Sequence, residues 1–134
     1  MRIIGIDPGQ RGGIALLTVS GANKVVNIWN MPVIDKGMDA KQIRSILAGN
    51  VDFVVMEKVN SRPGQGVVSM FHFGVGYGMI QGIVITLGIP LRLVTPQAWK
   101  KEILAGTTKD KSAAIEYVMR VYPSVNLILP GKRK

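Results

Sequence analysis

The sequence predicts an α/β domain: one mixed β-sheet covered by helices. Three observations carry that expectation. The first 31 residues read as three successive strand patterns joined by turn residues, as an antiparallel start requires. From residue 38 onward helical and strand patterns alternate, as in sheets with helical crossovers. The chain has 134 residues, 47% apolar and 19% charged, which suits one domain with a single core.

The elements follow in order. Residues 3–6 form an apolar run that ends in Asp7-Pro8-Gly9, a buried strand followed by a turn. Residues 13–19 and 24–31 are the second and third strands, with Gly21-Ala22-Asn23 as the hairpin turn between them. Residues 38–48 read as a helix with Ile43, Ile46 and Leu47 on one face, stopped by Gly49-Asn50. Residues 51–56 form a strand that delivers Glu57 at its end. A Pro- and Gly-rich loop over 61–66 leads to a long apolar helix over 67–87, closed by Gly88. Residues 89–94 are a short strand whose proline places it at an edge or a strand start. Thr95-Pro96 marks a helix start, with Thr as N-cap and Pro in the first helical position, and this helix runs to about Leu104. A last helix starts near Thr108 and reaches Val121, with Ala114, Ile115, Val118 and Val121 on one face. No linker, repeat or low-complexity segment divides the chain, so residues 1–134 read as a single domain.

Net charge is +9, from 17 Lys and Arg against 8 Asp and Glu. Such a balance suits a partner coated in phosphate, because neutralising phosphates releases counterions. It would also suit an anionic membrane, and residues 63–91 carry no charged side chain. That stretch holds seven Gly, together with Ser69, His72, Gln81 and Thr86, and lies mid-chain between strands. It reads instead as the buried helix of an α/β protein, with no membrane partner. There is no cysteine, which excludes disulfides and thiolate metal sites and is compatible with a reducing compartment such as the cytoplasm. His72 has no companion His or Cys, so a zinc site is not expected, and a core-facing position or a polar contact near the loop is.

Two of the eight acids stand at strand ends. Asp7 precedes a Pro-Gly turn, and Glu57 precedes a basic, glycine-rich loop. If the first and fourth strands are neighbours, both carboxylates point into one crevice and repel unless a cation lies between them. Magnesium favours carboxylate oxygens with water and substrate phosphate. A pair of such ions about 4 Å apart serves phosphodiester hydrolysis. Each acid alone could equally cap a helix or pair with a surface Lys. Asp35, Asp39, Asp52, Glu102, Asp110 and Glu116 read as solvated or capping acids.

These residues resemble a known family. Ile3-Ile4-Gly5-Ile6-Asp7-Pro8-Gly9 followed by Gly12-Gly13-Ile14-Ala15-Leu16 is similar to the first strand pair of the RuvC Holliday junction resolvases, in their bacteriophage-type branch. Glu57-Lys58-Val59 resembles their second acidic site. Pro63-Gly64-Gln65-Gly66, Ser69-Met70-Phe71-His72-Phe73-Gly74, Gly88-Ile89-Pro90 and Val94-Thr95-Pro96-Gln97-Ala98-Trp99-Lys100 follow in the family's order, and Thr108-Lys109-Asp110-Lys111 matches the basic start of the next helix. The resemblance implies a ribonuclease H-like fold with a mixed five-stranded sheet flanked by helices. It implies a homodimer, catalytic Mg²⁺ (with Mn²⁺ as a substitute) and nicking of four-way junctions or related branched DNA in a cell or phage-host cytoplasm. Asp7 and Glu57 would be metal ligands. Lys111 would act with them at the scissile phosphate and Lys100 would be a second cation there. Arg62, Lys101 and Lys109 would join Lys100 and Lys111 in binding DNA. Read without the resemblance, Lys100 and Lys111 are solvated first-turn residues, although a helix N-terminus disfavours cations.

The sequence departs from the family in two places. The family's closing helix carries two further acids spaced three apart, and no acid follows Glu116 here. Either the sequence ends before that helix or the protein lacks it, and 134 residues with two carboxylates should cleave weakly or not at all. Some members carry an aromatic wedge three residues after the second acid, where this chain has Asn60, so that role passes to Arg62 or its neighbours or is absent.

Gly74, Gly78 and Gly82 recur every four residues along the long helix. Such a ridge packs either against the sheet or against a second copy across a two-fold axis. Trp29 and Trp99 read as core, or Trp99 as lying against DNA, and the Lys132-Arg133-Lys134 tail as solvated or touching phosphate. Two other functions compete. A nucleotide-binding domain of the sugar-kinase and actin type also ends its first strand in Asp-x-Gly, but closing over ATP needs a second domain, so no nucleotide cofactor is expected. A non-catalytic module that binds branched DNA would need no further acids.

Overall fold

The structure is a computed structural model that describes residues 1–35 and 37–127. The Lys132-Arg133-Lys134 tail lies outside the described residues. β1 (Arg2–Asp7), β2 (Gly13–Ser20) and β3 (Asn23–Asn30) form an antiparallel meander. Ser20 pairs with Asn23, so Gly21 and Ala22 alone make the turn. Gly21 takes φ 59°, which fits a hairpin turn with glycine in the first central position.

A second, two-stranded sheet follows, β4 (Val33–Ile34) with β5 (Gly37–Met38), which the sequence pattern did not show. After it come α1 (Ala40–Leu47), β6 (Phe53–Glu57), α2 (Val67–Thr86), β7 (Leu91–Val94), α3 (Pro96–Ile103) and α4 (Lys111–Val121). The main sheet has five strands in the order β3-β2-β1-β6-β7, with β6 parallel to both β1 and β7. The mixed five-stranded sheet flanked by helices is thus as expected, and β7 is the expected edge.

Side-chain alternation builds the core on one face of that sheet. Ile4 and Ile6, Ile14 and Leu16, and Val54 and Met56 are buried there against Ile43 and Leu47 of α1 and Ile80 and Val84 of α2. Each such side chain contributes on the order of 1.5–3 kcal/mol. The opposite face, with Ile3, Gly5, Phe53 and Val55, is only half-buried.

Local chemistry sets the helix starts. Asp39 accepts a hydrogen bond from the Gln42 amide at 3.1 Å to cap α1, and Thr95 accepts from the Ala98 amide at 3.1 Å to cap α3. α4 begins later than its pattern suggested. Its N-cap is Asp110, whose carboxylate accepts from the Ala113 amide at 2.9 Å and the Ser112 hydroxyl at 2.9 Å, so Thr108 lies before the helix. Of its expected inner face, Ala114, Val118 and Val121 are half-buried and Ile115 is exposed, and Ala113 is buried in addition.

The larger correction concerns α2. It is apolar all round and, by length and composition, long enough to cross a membrane, yet only Gly76, Ile80 and Val84 are buried. Val67, Phe71, Val75 and Ile85 are exposed on the opposite side, because the sheet reaches only one side of the helix. Gly74, Gly78 and Gly82 lie on the exposed side, and a Cβ added at any of them would meet nothing within 4 Å. The ridge therefore does not pack against the sheet. His72 is likewise exposed, edge-on to Phe71 with ring centroids 6.0 Å apart, and not core-facing.

The two sides of α2 should answer differently to mutation. In urea unfolding, Ile80→Ala is expected to cost about 2–5 kcal/mol. Gly78→Ala should stabilise the monomer by up to about 1 kcal/mol, through helix propensity alone. A destabilising Gly78→Ala in the monomer would show that this side of α2 is covered.

Candidate active site

The register of the parallel strands decides where the acids fall. β1 and β6 pair as Ile3↔Phe53, Ile4↔Val54, Gly5↔Val55 and Ile6↔Met56. Asp7 and Glu57 are the next residue of each strand, so they stand side by side at the carboxyl edge, one strand spacing apart, about 4.8 Å. Because Ile6 and Met56 face the core, both acids emerge on the other face. On either side, Asp7 pairs with Gly13 of β2 and Glu57 with Val94 of β7. The Lys58 amide donates to the Val94 carbonyl at 2.7 Å, which carries the β6–β7 ladder one residue past Glu57.

The turn after β1 holds Asp7. The Gly12 amide donates to the Gly9 carbonyl at 3.0 Å, and the Met31 amide donates to the Gly12 carbonyl at 3.1 Å. A Cβ at Gly12 would overlap the Asp7 carbonyl oxygen and stand 3.2 Å from its carboxyl carbon. Only glycine lets the chain return this closely beneath the acid.

Glu57 is held by a residue 42 positions away. Trp99 Nε1 donates to Glu57 Oε2 at 3.0 Å, and the Lys100 ammonium lies 5.6 Å from the Trp99 ring centroid, within cation–π range. Sequence reasoning left Trp99 between core and DNA contact. Its signal was its place one turn after the Thr95-Pro96 cap, beside the strand that pairs with Glu57.

Asp7, Glu57, Trp99 and Lys100 thus gather at one edge, with Lys101 exposed on the same helix. Lys100 belongs to the last turn of α3, where the helix dipole favours a cation, so its position needs no functional reason. Lys111 does open its helix, against the dipole, and Lys109 just before it takes a left-handed φ of 59°. Hydrogen bonds from the Ala113 amide, Ser112 and Thr108 hold the Asp110 carboxyl below the ordinary aspartate range, so this N-terminus already has its anion. Arg62 lies in the exposed loop after β6, its amide donating to Gln65 Oε1 at 2.8 Å. That loop is tied back to α2, where Tyr77 accepts from the Val59 amide at 3.4 Å and stacks on Phe73. Gly74, Gly78 and Gly82 are not part of this edge. A groove of about 860 Å³ lies between Gln10, Arg11, Met38 and the His72–Met79 side of α2, and neither acid lines it.

The donor set suits one kind of cation. Two neighbouring carboxylates match magnesium, which is commonly held by one or two carboxylates and completed by substrate phosphate and water. Among the described residues no group of three or more His, Cys, Asp or Glu could hold a metal ion.

No family model matches the chain, and no curated protein matches it. Solved structures do. The structure described as T. thermophilus RuvC in complex with Holliday junction substrate superposes with a TM-score of 0.77 at 15% identity, covering 98% of this chain and 85% of that one. A second, Thermus thermophilus RuvC, gives a TM-score of 0.69 at 17% identity over 98% of this chain and 86% of its own. The chain shares the ribonuclease H-like fold of these neighbours. It is the fold that the opening and second acidic motifs implied.

Gly12→Ala tests the support of Asp7. The variant is expected to lose about 2 kcal/mol or more, since overpacking typically costs about 1–3 kcal/mol and backbone cannot step aside cheaply. An unchanged thermal midpoint would show that the turn is looser than described.

Proposed function

We propose that this chain is a divalent-metal-dependent endonuclease acting on Holliday junctions or other branched DNA. The observation that carries the reading is the in-register placement of Asp7 and Glu57 at the edge of two parallel strands. The basic balance of the chain and the junction-bound RuvC neighbour of the same fold support it.

In this reading Asp7 and Glu57 hold Mg²⁺ or Mn²⁺. When bound, the metal polarises the phosphoryl group and lowers the pKa of the attacking water. The chain's own residues do the remainder. The strand edge fixes the separation of the two carboxylates, and Gly12 lets the following turn pass close under Asp7. Lys100 and Lys111 neutralise phosphate charge near the reacting bond, while Lys101, Lys109 and Arg62 bind the flanking backbone. We place the protein in the bacteriophage-type branch on its Thr95-Pro96-Gln97-Ala98-Trp99-Lys100 segment, acting in a cytoplasm.

We further propose a homodimer through the exposed side of α2. Val67, Phe71, Gly74, Gly78, Gly82 and Ile85 fall on one stripe, and the three glycines permit close backbone approach. A two-fold dimer matches the symmetry of a four-way junction. Sedimentation should show a dimer for the parent and a monomer for Gly78→Leu. A monomeric parent would defeat this interface.

One observation favours a second reading. With no third carboxylate near the pair among the described residues, a non-catalytic module that binds branched DNA is the alternative. Cleavage of a labelled four-way junction separates the two. With Mg²⁺ or Mn²⁺ the 134-residue chain should nick weakly, and Asp7→Asn and Glu57→Gln should each abolish nicking while leaving junction binding within about threefold, the phosphate contacts being intact. Tight binding without cleavage, in this chain and in any natural extension of it, would establish the binding module instead.

A further inference from the structure

Glu57 carries an interaction that a metal ligand does not require. Trp99 donates its indole N–H to Glu57 Oε2 at 3.0 Å, and the same ring lies 5.6 Å from the Lys100 ammonium. One rigid side chain therefore touches the acid through its edge and the cation through its face. Both Glu57 and Trp99 are half-buried, so the bond is partly shielded from water.

We propose that Trp99 is a positioning residue for metal binding, fixing the Glu57 carboxylate and placing Lys100 at a set distance from it. This rests on the nuclease reading of Asp7 and Glu57. The physical case has three parts. First, two carboxylates one strand apart repel when no cation is present, and a donor on one of them offsets that repulsion and holds its rotamer. Second, the indole takes one lone-pair site of Oε2, which restrains the carboxylate before the metal arrives and leaves Oε1 the less encumbered oxygen for a cation. Groups that orient a metal ligand in this way commonly matter by about 10–100-fold in metal affinity or activity. Third, Trp99 has few torsions and is anchored one turn from the Thr95 cap, whose strand Leu91–Val94 is itself paired to β6. The acid and its donor are thus fixed to the same sheet edge.

The test needs a readout apart from cleavage. In the metal-free protein, ¹⁵N spectra give one indole signal for Trp29 and one for Trp99, assigned with Trp29→Phe. Glu57→Gln should move the Trp99 indole signal, and Mg²⁺ should move it in the parent. Isothermal titration with Mg²⁺ should show affinity reduced about tenfold or more in Trp99→Phe. Replacement of Trp99 by benzothienylalanine, with sulfur where the N–H was, should do the same and leave the thermal midpoint unchanged. In junction cleavage, the Mg²⁺ concentration for half-maximal rate should rise by a similar factor, with the rate at saturating Mg²⁺ within about threefold of the parent. A Trp99 signal indifferent to Glu57→Gln, or unchanged Mg²⁺ affinity in a folded Trp99→Phe, would overturn the proposal. If the parent neither binds Mg²⁺ nor cleaves, the nuclease reading fails and the metal role of Trp99 with it. The spectra of the metal-free protein still decide whether the indole holds Glu57.

Discussion

The pairing register of β1 with β6 is the constraint on which the site depends. A slip of one residue in β6 would turn Val54 and Met56 out of the core and Glu57 into it. Two side chains of that kind represent roughly 3–6 kcal/mol of burial. Mutual repulsion of two carboxylates one strand spacing apart at a protein surface is of similar size, about 3–4 kcal/mol before salt or a bound cation screens it. The acids are therefore held together, with little energy to spare, by residues that have no chemistry of their own. The same alternation that buries Ile4, Ile6, Val54 and Met56 delivers Asp7 and Glu57 to the opposite face.

The sheet divides the molecule's tasks between its two faces. On one, α1 and α2 close the core, and α2 turns a smooth apolar stripe outward. On the other, the acids meet the chain that leaves β7, where Thr95 starts a short helix and Trp99 reaches back to Glu57. The two candidate metal-binding acids stand at strand ends, and the candidate DNA-binding cations stand on helices and loops.

Much of this was legible in the sequence because it is local. Strand ends at Asp7 and Glu57, the Gly21 turn, the Thr95-Pro96 start and the Gly88 stop each follow from a few consecutive residues. What was not legible depended on neighbours. The β4–β5 pair has two residues per strand and a turn through Asp35 at φ 54°, too short for any periodicity. The hydrophobicity of α2 reads as a buried helix, yet one side is exposed, since composition alone does not tell a helix covered all round from one that packs on a sheet along one side. Thr108 and Asp110 are both plausible caps, and Asp110 prevails because Ala113 and Ser112 donate to it. Lys100 reads as a first-turn residue but is the fifth residue of α3 and belongs to its last turn, because the helix starts at Pro96 and stops at Ile103. The Trp99–Glu57 bond spans 42 residues and no spacing rule reaches that far.

One further contrast follows from how the elements are anchored. β1 and β6 lie in the middle of the sheet, bonded on both edges, whereas α3 buries no residue and α4 only Ala113. Leu104, at the end of α3, is fully buried and Trp99 ties the helix to Glu57, so α4 is the looser of the two. In the proposed nuclease the carboxylates and Lys100 would thus hold station like an anvil, while Lys109 and Lys111 would ride on a more compliant segment able to adjust to a bent or branched duplex.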